Sequence, residues 1–391
     1  MHDFRQLRVA LVHYWLVNRR GGERVLEALA EMFPQADIFT LVLDPKTLSP
    51  QLRSHKIATS FLQRLPGARR HYRKLLPFFP LAVEQLRLRD YDLVISSESG
   101  PAKGVITSSH TCHICYCHSP MRYLWDMYHT YREGRSVGPV SRLIFDLSAH
   151  YVRLWDVATA SRVDHFVANS ENVARRIRKH YRRDARVIYP PVDVSAGYLA
   201  DSIEDYYLVA SPLVDYKRVD LAIEAANRLK RPLRVIGDGE EAERLRRLAG
   251  ATVSFLGYVS DDVLRDNYAH ARALLYPGEE DFGMVPVEAQ SFGRPVIAYA
   301  RGGAVESVNG FLPGDTLDSE SATGIFFTEQ SVDSLVEAIE RFESMERRFS
   351  PARIQTHAQG FGVTRFQAEM RAFIEEALAE FRSGRPQLVG R

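Results

Sequence analysis

The stretch Glu280-Asp-Phe-Gly-Met-Val-Pro-Val-Glu288 sets two carboxylates eight residues apart around a glycine. Its second half runs into Ala289-Gln-Ser-Phe-Gly-Arg-Pro-Val-Ile297. The spacing predicts a loop that turns into a helix near Val285. A helix start offers unpaired backbone N–H groups and the positive end of the helix dipole to a phosphate. Carboxylates accept hydrogen bonds from sugar and ribose hydroxyls. A sugar nucleotide fits both halves of that pattern.

Outward from this stretch the chain alternates strand and helix signals. Residues 207–210, 233–236, 253–256, 273–276 and 295–299 read as strands, with helices over 220–229 and 240–248 between them. The first half repeats the scheme, with strands over 7–13, 38–43, 91–97, 105–107, 111–118 and 164–169 and helices over 22–33 and 171–180. Such alternation predicts two doubly wound parallel sheets. Prolines at 190 and 191 and the polar run 201–206 mark a linker. A last helix is expected over 364–381.

At 391 residues the chain is long enough for two cores, and its 45% hydrophobic and 26% charged residues fit an ordinary globular protein. A net charge of +2 gives no basic footprint for nucleic acid. No apolar run approaches the ~20 residues of a membrane span. The first residues show no signal-peptide core, which predicts a cytoplasmic address. Cys112, Cys115 and Cys117, with His110, His113 and His118, invite a metal reading. A buried strand accounts for them better: an extended chain turns Cys112 away from Cys115 and Cys117, and the spacing matches no paired zinc pattern.

The Glu280 to Glu288 segment, together with residues 289–297, resembles the E-x7-E signature of retaining glycosyltransferases of the GT-B fold, family 4. That likeness extends from Leu7 to about Phe381. It implies two Rossmann-like doubly wound domains facing a cleft: an acceptor-binding domain over 1–195, a nucleotide-sugar-binding domain over 196–363, and a crossover helix and tail over 364–391 that returns to the first domain. It implies Glu288 as the ribose ligand and Glu280 as the partner of donor-sugar hydroxyls, with Phe282, Gly283, Met284 and Val285 presenting backbone amides. Lys217 and Arg218 would meet the diphosphate. The family commonly has Ser-Arg-Leu-Val where this chain has Ser211-Pro-Leu-Val214, so Pro212 puts one phosphate contact in doubt. Gly21 and Gly22 resemble a family phosphate loop, although a plain helix-opening turn explains two glycines as well. Gly237 and Val259 fall in loops like those near the pyrophosphate and base.

His118 follows a strand, where open α/β sheets place ligands. The resemblance sets it against the donor sugar, with Arg122, Trp125 and Asp126 on the acceptor side. The runs at 70–74 and 117–126 are most similar to bacterial mannosyltransferases of polysaccharide assembly, which implies GDP-mannose over a UDP-sugar, a glycan or polyprenyl-diphosphate-linked acceptor, and no metal or other cofactor. Asp90-Tyr-Asp92 mimics a metal-binding D-x-D but precedes a first-domain strand and reads as a turn. Residues 53–89 carry nine Lys or Arg against one acid, Glu84, interleaved with apolar groups. That composition fits either an anionic membrane surface or a solvated basic face. An epimerase or a non-catalytic binding protein would use the same nucleotide grip. A dehydrogenase is disfavoured, because no G-x-G-x-x-G follows the first strand.

Overall fold

The structure is a computed structural model, and it describes residues 4–18, 21–133, 138–312, 314 and 321–384. The chain divides into two units, Met1–Tyr189 with Phe366–Arg391, and Pro190–Arg365.

In the first unit seven parallel strands run β1 (Val9–His13), β2 (Asp37–Thr40), β3 (Ile57–Thr59), β4 (Leu93–Glu98), β5 (Cys112–Cys117), β6 (His165–Ala168) and β7 (Ala185–Val187). Their order in the sheet is β3-β2-β1-β4-β5-β6-β7. Every residue of β1, β4 and β5 is buried, as expected of central parallel strands covered on both faces. Cys115 and Cys117 pack with Phe166, Val173 and Ile177. Val105 to Thr107, expected as a strand, forms none: Ile106 is exposed, and Thr107 makes only an isolated bridge to Leu88. The closing helix Val363–Ser383 joins this unit from Phe366, whose ring meets Tyr116 at 5.6 Å, and Gln367 donates to the Ala28 carbonyl.

A 21-residue helix, Pro139–Thr159, covers this sheet through Phe145, Ala149 and Val152. It is tied down by a buried ion pair between Asp156 and Lys103, both fully inaccessible. Trp125 Nε1 and the Tyr181 hydroxyl also donate to Asp156, at 2.8 and 3.0 Å. Although burial disfavours its charge, the Lys103 ammonium is held above its usual range by Asp156 and Glu98. Burial lifts the Glu98 carboxyl to about 8, against the pull of Lys103.

In the second unit the strands are β8 (Tyr207–Ala210), β9 (Leu233–Ile236), β10 (Val253–Gly257), β11 (Ala273–Tyr276), β12 (Val296–Tyr299), β13 (Gly310–Phe311) and β14 (Gly324–Phe327). They lie in the order β10-β9-β8-β11-β12-β14-β13, again all parallel. Helices Val219–Leu229 and Val332–Met345 build a core against one face. On the other face, Tyr268, Ala289 and Phe292 pack from helices Asp261–His270 and Met284–Ser291 and the turn after them.

Removing one partner of a buried pair strands the other charge, which costs about 3 to 5 kcal/mol, whereas apolar replacement of both is often neutral. Asp156→Ala should therefore lower the thermal midpoint of the first unit sharply, and Lys103→Met with Asp156→Leu should recover most of the loss in differential scanning calorimetry.

Candidate active site

Ligands of open parallel sheets bind at the carboxyl ends of strands, where neighbouring connections depart to opposite sides and leave a crevice. That switch point falls between β1 and β4 in the first unit and between β8 and β11 in the second.

In the second unit, β11 leads into the loop that carries Glu280 and then into the helix Met284–Ser291. Gly283 caps that helix with φ of +82°, in the left-handed region, and a side chain there would come 2.7 Å from the Tyr276 hydroxyl. Phe282 is buried with its ring 5.8 Å from Phe361, so the loop backbone is pinned beneath Met284 and Val285. The Glu280 carbonyl accepts from Gly303 N–H at 2.8 Å. Its carboxylate pairs with the Lys217 ammonium across the switch point. Glu288, one turn into the helix and half-buried, accepts from the Tyr268 hydroxyl at 3.1 Å.

Lys217 and Arg218, expected to act together, part company. Arg218 adopts φ of +52° as the residue before Val219–Leu229, and its guanidinium spans the carboxylate of Asp220. This neutralises a cation at a helix start, where the dipole disfavours it. Pro212 sits in a stitched set of strand-end loops: Leu213 N–H donates to Asp238, and Gly237 N–H to Gly257, at 3.0 and 2.9 Å. Val259, half-buried, packs against the cluster that contains Tyr268 and Ala289, as does Val285.

In the first unit Gly21 and Gly22 open the helix Gly21–Met32. A side chain on Gly22 would meet the Tyr14 hydroxyl at 2.8 Å and lie 3.6 Å from His118 Nε2. His118 follows β5, and the Ser97 hydroxyl stands between its Nε2, at 2.8 Å, and His13 Nδ1, at 3.0 Å. The hydroxyl donates a single proton, so at least one of the two rings donates to Ser97. Glu23 lies 3.8 Å from His13 Nε2. Burial, reinforced by neighbouring His13, holds the His118 imidazole down at about 3.

His13, Ser97 and Glu23 were not singled out from the sequence. Polar residues at the carboxyl ends of apolar strands, and an acid directly after two glycines, were the available signal.

The three acceptor-side candidates sit beyond His118. Asp126 pairs with Arg176 and His180, whose hydrogen bond lowers its carboxyl below the usual range. Trp125 stacks on His180 at 4.5 Å, and the two border a hollow of about 450 Å³ also lined by Tyr128 and Arg153. The carbonyl of Arg122 accepts from Met127 N–H. Asp92 lies at the opposite end of the sheet, where its carboxylate accepts from Arg8 N–H at 2.9 Å. Among the described residues no group of three or more His, Cys, Asp or Glu is arranged to hold a metal ion.

Residues 19–196 match the model of Glycosyltransferase Family 4, and residues 196–359 that of Glycosyl transferases group 1. The chain belongs to the GT-B glycosyltransferases. Among curated relatives of this family member, a glycogen synthase of Xanthomonas oryzae is 29% identical over 48% of the chain, and an alpha-1,3/1,6-mannosyltransferase of Candida glabrata 37% identical over 23%. The match covers 34% of that glycogen synthase and 19% of that mannosyltransferase, so the chain aligns with only about a third or less of their length. In fold the glycosyltransferase chain is similar to Anabaena HepE in complex with UDP and glucose, with a TM-score of 0.68 at 16% identity over 95% of this chain and 100% of that one. Sucrose-phosphate synthase of Thermosynechococcus elongatus gives 0.68 at 18%, over 96% and 100%.

Because the native state disfavours protonated His118, this residue adds stability above its unfolded value of 6.5 that is lost as pH falls from there towards 3. Histidine-selective NMR should find His118 neutral at pH 5, with no titration step between 5 and 8. An imidazolium signal for His118 at pH 6 would overturn the assignment.

Proposed function

We propose that this chain is a retaining, metal-independent hexosyltransferase that moves mannose from GDP-mannose to a glycan or polyprenyl-diphosphate-linked acceptor in cell-surface polysaccharide assembly. One observation carries the donor side: Lys217 and Glu280 face each other across the switch point of β8 and β11, beside a helix start opened by Gly283. The similarity to an alpha-1,3/1,6-mannosyltransferase supports the choice of sugar.

In this reading the donor exchanges the ion pair. Its diphosphate takes the Lys217 ammonium and the amides at Met284 and Val285, and its sugar hydroxyls take the Glu280 carboxylate. Glu288, steadied by Tyr268, accepts from the ribose. The bond from the anomeric carbon to the phosphate oxygen breaks while the bond to the acceptor oxygen forms on the same face. The acceptor proton passes to the leaving phosphate. Fixed cations and dipoles aimed at the charge growing on that phosphate are the largest contribution. His118, neutral, is assigned to the transferred sugar. The inner leaflet, through residues 53–89, is where a lipid-linked acceptor would be met.

A thermal-shift panel of GDP-, UDP- and ADP-sugars tests the donor, because a ligand at a hundred times its Kd stabilises the folded state by about 2.7 kcal/mol. GDP-mannose should give the largest shift. An equal or larger shift with UDP-glucose would reassign base and sugar.

Calorimetry separates the glutamates. Glu288→Ala should weaken free nucleoside diphosphate and sugar nucleotide alike. Glu280→Ala should weaken only the sugar nucleotide, by roughly 1.5 to 3 kcal/mol for a lost charge-assisted hydrogen bond, and should leave the free diphosphate unchanged or tighter because Lys217 is released. His118→Ala should cut turnover by orders of magnitude with nucleotide binding intact, and EDTA should leave the wild-type rate unchanged.

A further inference from the structure

The helix Pro139–Thr159 is apolar on two opposite faces. Phe145, Ala149 and Val152 are buried against the sheet. Val140, Leu143, Ile144, Leu147, Tyr151 and Leu154 are each between 52 and 69% exposed. These positions recur at intervals of three and four, so they form one continuous outer stripe, roughly 20 Å long at 1.5 Å per residue. A helix that is hydrophobic all round is ordinarily covered all round. A single exposed leucine is unremarkable in a surface, but six large apolar side chains in a row mark an interaction site.

The charges around the stripe say what covers it. The helix packs against the segment Tyr72–Phe78, and both contribute to one core, through Phe145 and Val152 on one side and Tyr72 and Leu76 on the other. Arg69, Arg70, Arg73 and Lys74 on that neighbouring stretch are exposed, as are the large apolar groups Phe78 and Leu81. The acids nearby are committed elsewhere. Glu84, the one acid of residues 53–89, accepts from Trp155 Nε1 and pairs with Arg162. Asp146 accepts from Tyr128 and Arg132. Asp156 is buried with Lys103. The result is an apolar strip on the helix and a run of exposed cations on the segment packed against it, the two ingredients that insert side chains among acyl chains and meet anionic headgroups. A second copy of this chain laid on the strip would bring like charges together.

We infer that the outer face of helix Pro139–Thr159, with the cations at 69–74, seats the first unit on an anionic lipid bilayer. The inference deepens the membrane part of the proposed function and rests on it only for its purpose, delivery of a lipid-linked acceptor.

The full chain is mixed with vesicles of phosphatidylcholine alone and with vesicles that also contain phosphatidylglycerol, then floated on a density gradient. Binding should require the anionic lipid and weaken with salt. Leu143→Gln with Leu147→Gln, at solvent-facing positions, should lower partitioning at least about tenfold while leaving the thermal midpoint unchanged. Reversal of Arg69, Arg70, Arg73 and Lys74 to Glu should lower it by roughly fivefold or more for each residue. Unchanged flotation of the leucine variant overturns the inference. So does a wild-type chain that ignores both vesicles and behaves in light scattering as a dimer which the leucine variant dissociates, because a second copy then covers the strip. The sugar-nucleotide thermal shift, run on the same samples, keeps the two readings apart: its loss with flotation intact would sink the donor reading alone.

Discussion

Everything proposed for this chain depends on the direction of its strands. In a parallel sheet all carboxyl ends lie along one edge, and a crevice opens only where the order of connection reverses. Each unit has such a reversal beside its first strand, and polar groups stand there. At the ends of β1, β4 and β5 stand His13, Ser97 and His118, beside the helix that Gly21 and Gly22 open. Between β8 and β11 stand Lys217 and Glu280, beside the helix that Gly283 opens. Most of the remaining residues of β1, β8 and β11 are apolar and buried, so the sheets act as rigid mounts for a few side chains that emerge at their ends.

The two sets differ in electrostatic character. The pair in the second unit is ionic and partly open, with Lys217 at 10% and Glu280 at 20% side-chain exposure. Parting such a pair strands two largely buried charges unless a ligand offers a phosphate to one member and hydroxyls to the other. In the first unit burial keeps His118 from holding a proton. In the role proposed for His118, a neutral imidazole would repel a developing sugar cation less than an imidazolium would.

Much of this was legible because the relevant signals are local. The strands 207–210, 233–236 and 273–276 coincide residue for residue with β8, β9 and β11, since each is a short apolar run bounded by turn residues. The helix at Met284 was announced by its glycine and by the apolar run after it. What stayed hidden was non-local or lacked contrast. Arg218 was expected to meet the diphosphate with Lys217; its left-handed backbone and its contact with Asp220 were not readable from the sequence. The strand expected at 105–107 had the right residue types and pairs only through the single bridge of Thr107 to Leu88. The longest helix of the first unit before the closing one escaped notice because apolar residues on both faces erase the periodicity by which a helix is recognised.

That same helix shows how a costly interior and a costly exterior are joined. A segment with an apolar outer face gains nothing by facing water, so its position over the sheet needs a constraint stronger than amphipathic packing. The buried Lys103–Asp156 pair, extended by Trp125 and Tyr181, supplies one that is specific in direction and intolerant of sliding. Each group in the cluster has a fixed partner, and a shift by one residue would leave a charge buried and alone. Trp125 belongs at once to this anchor and to the hollow beside Asp126. A helix held in this way is fixed to the loop that carries Leu124 and Trp125, through Arg153 and Asp156, all within one unit. Seating its outer face on lipid would therefore set the distance between the bilayer and that loop without any moving part.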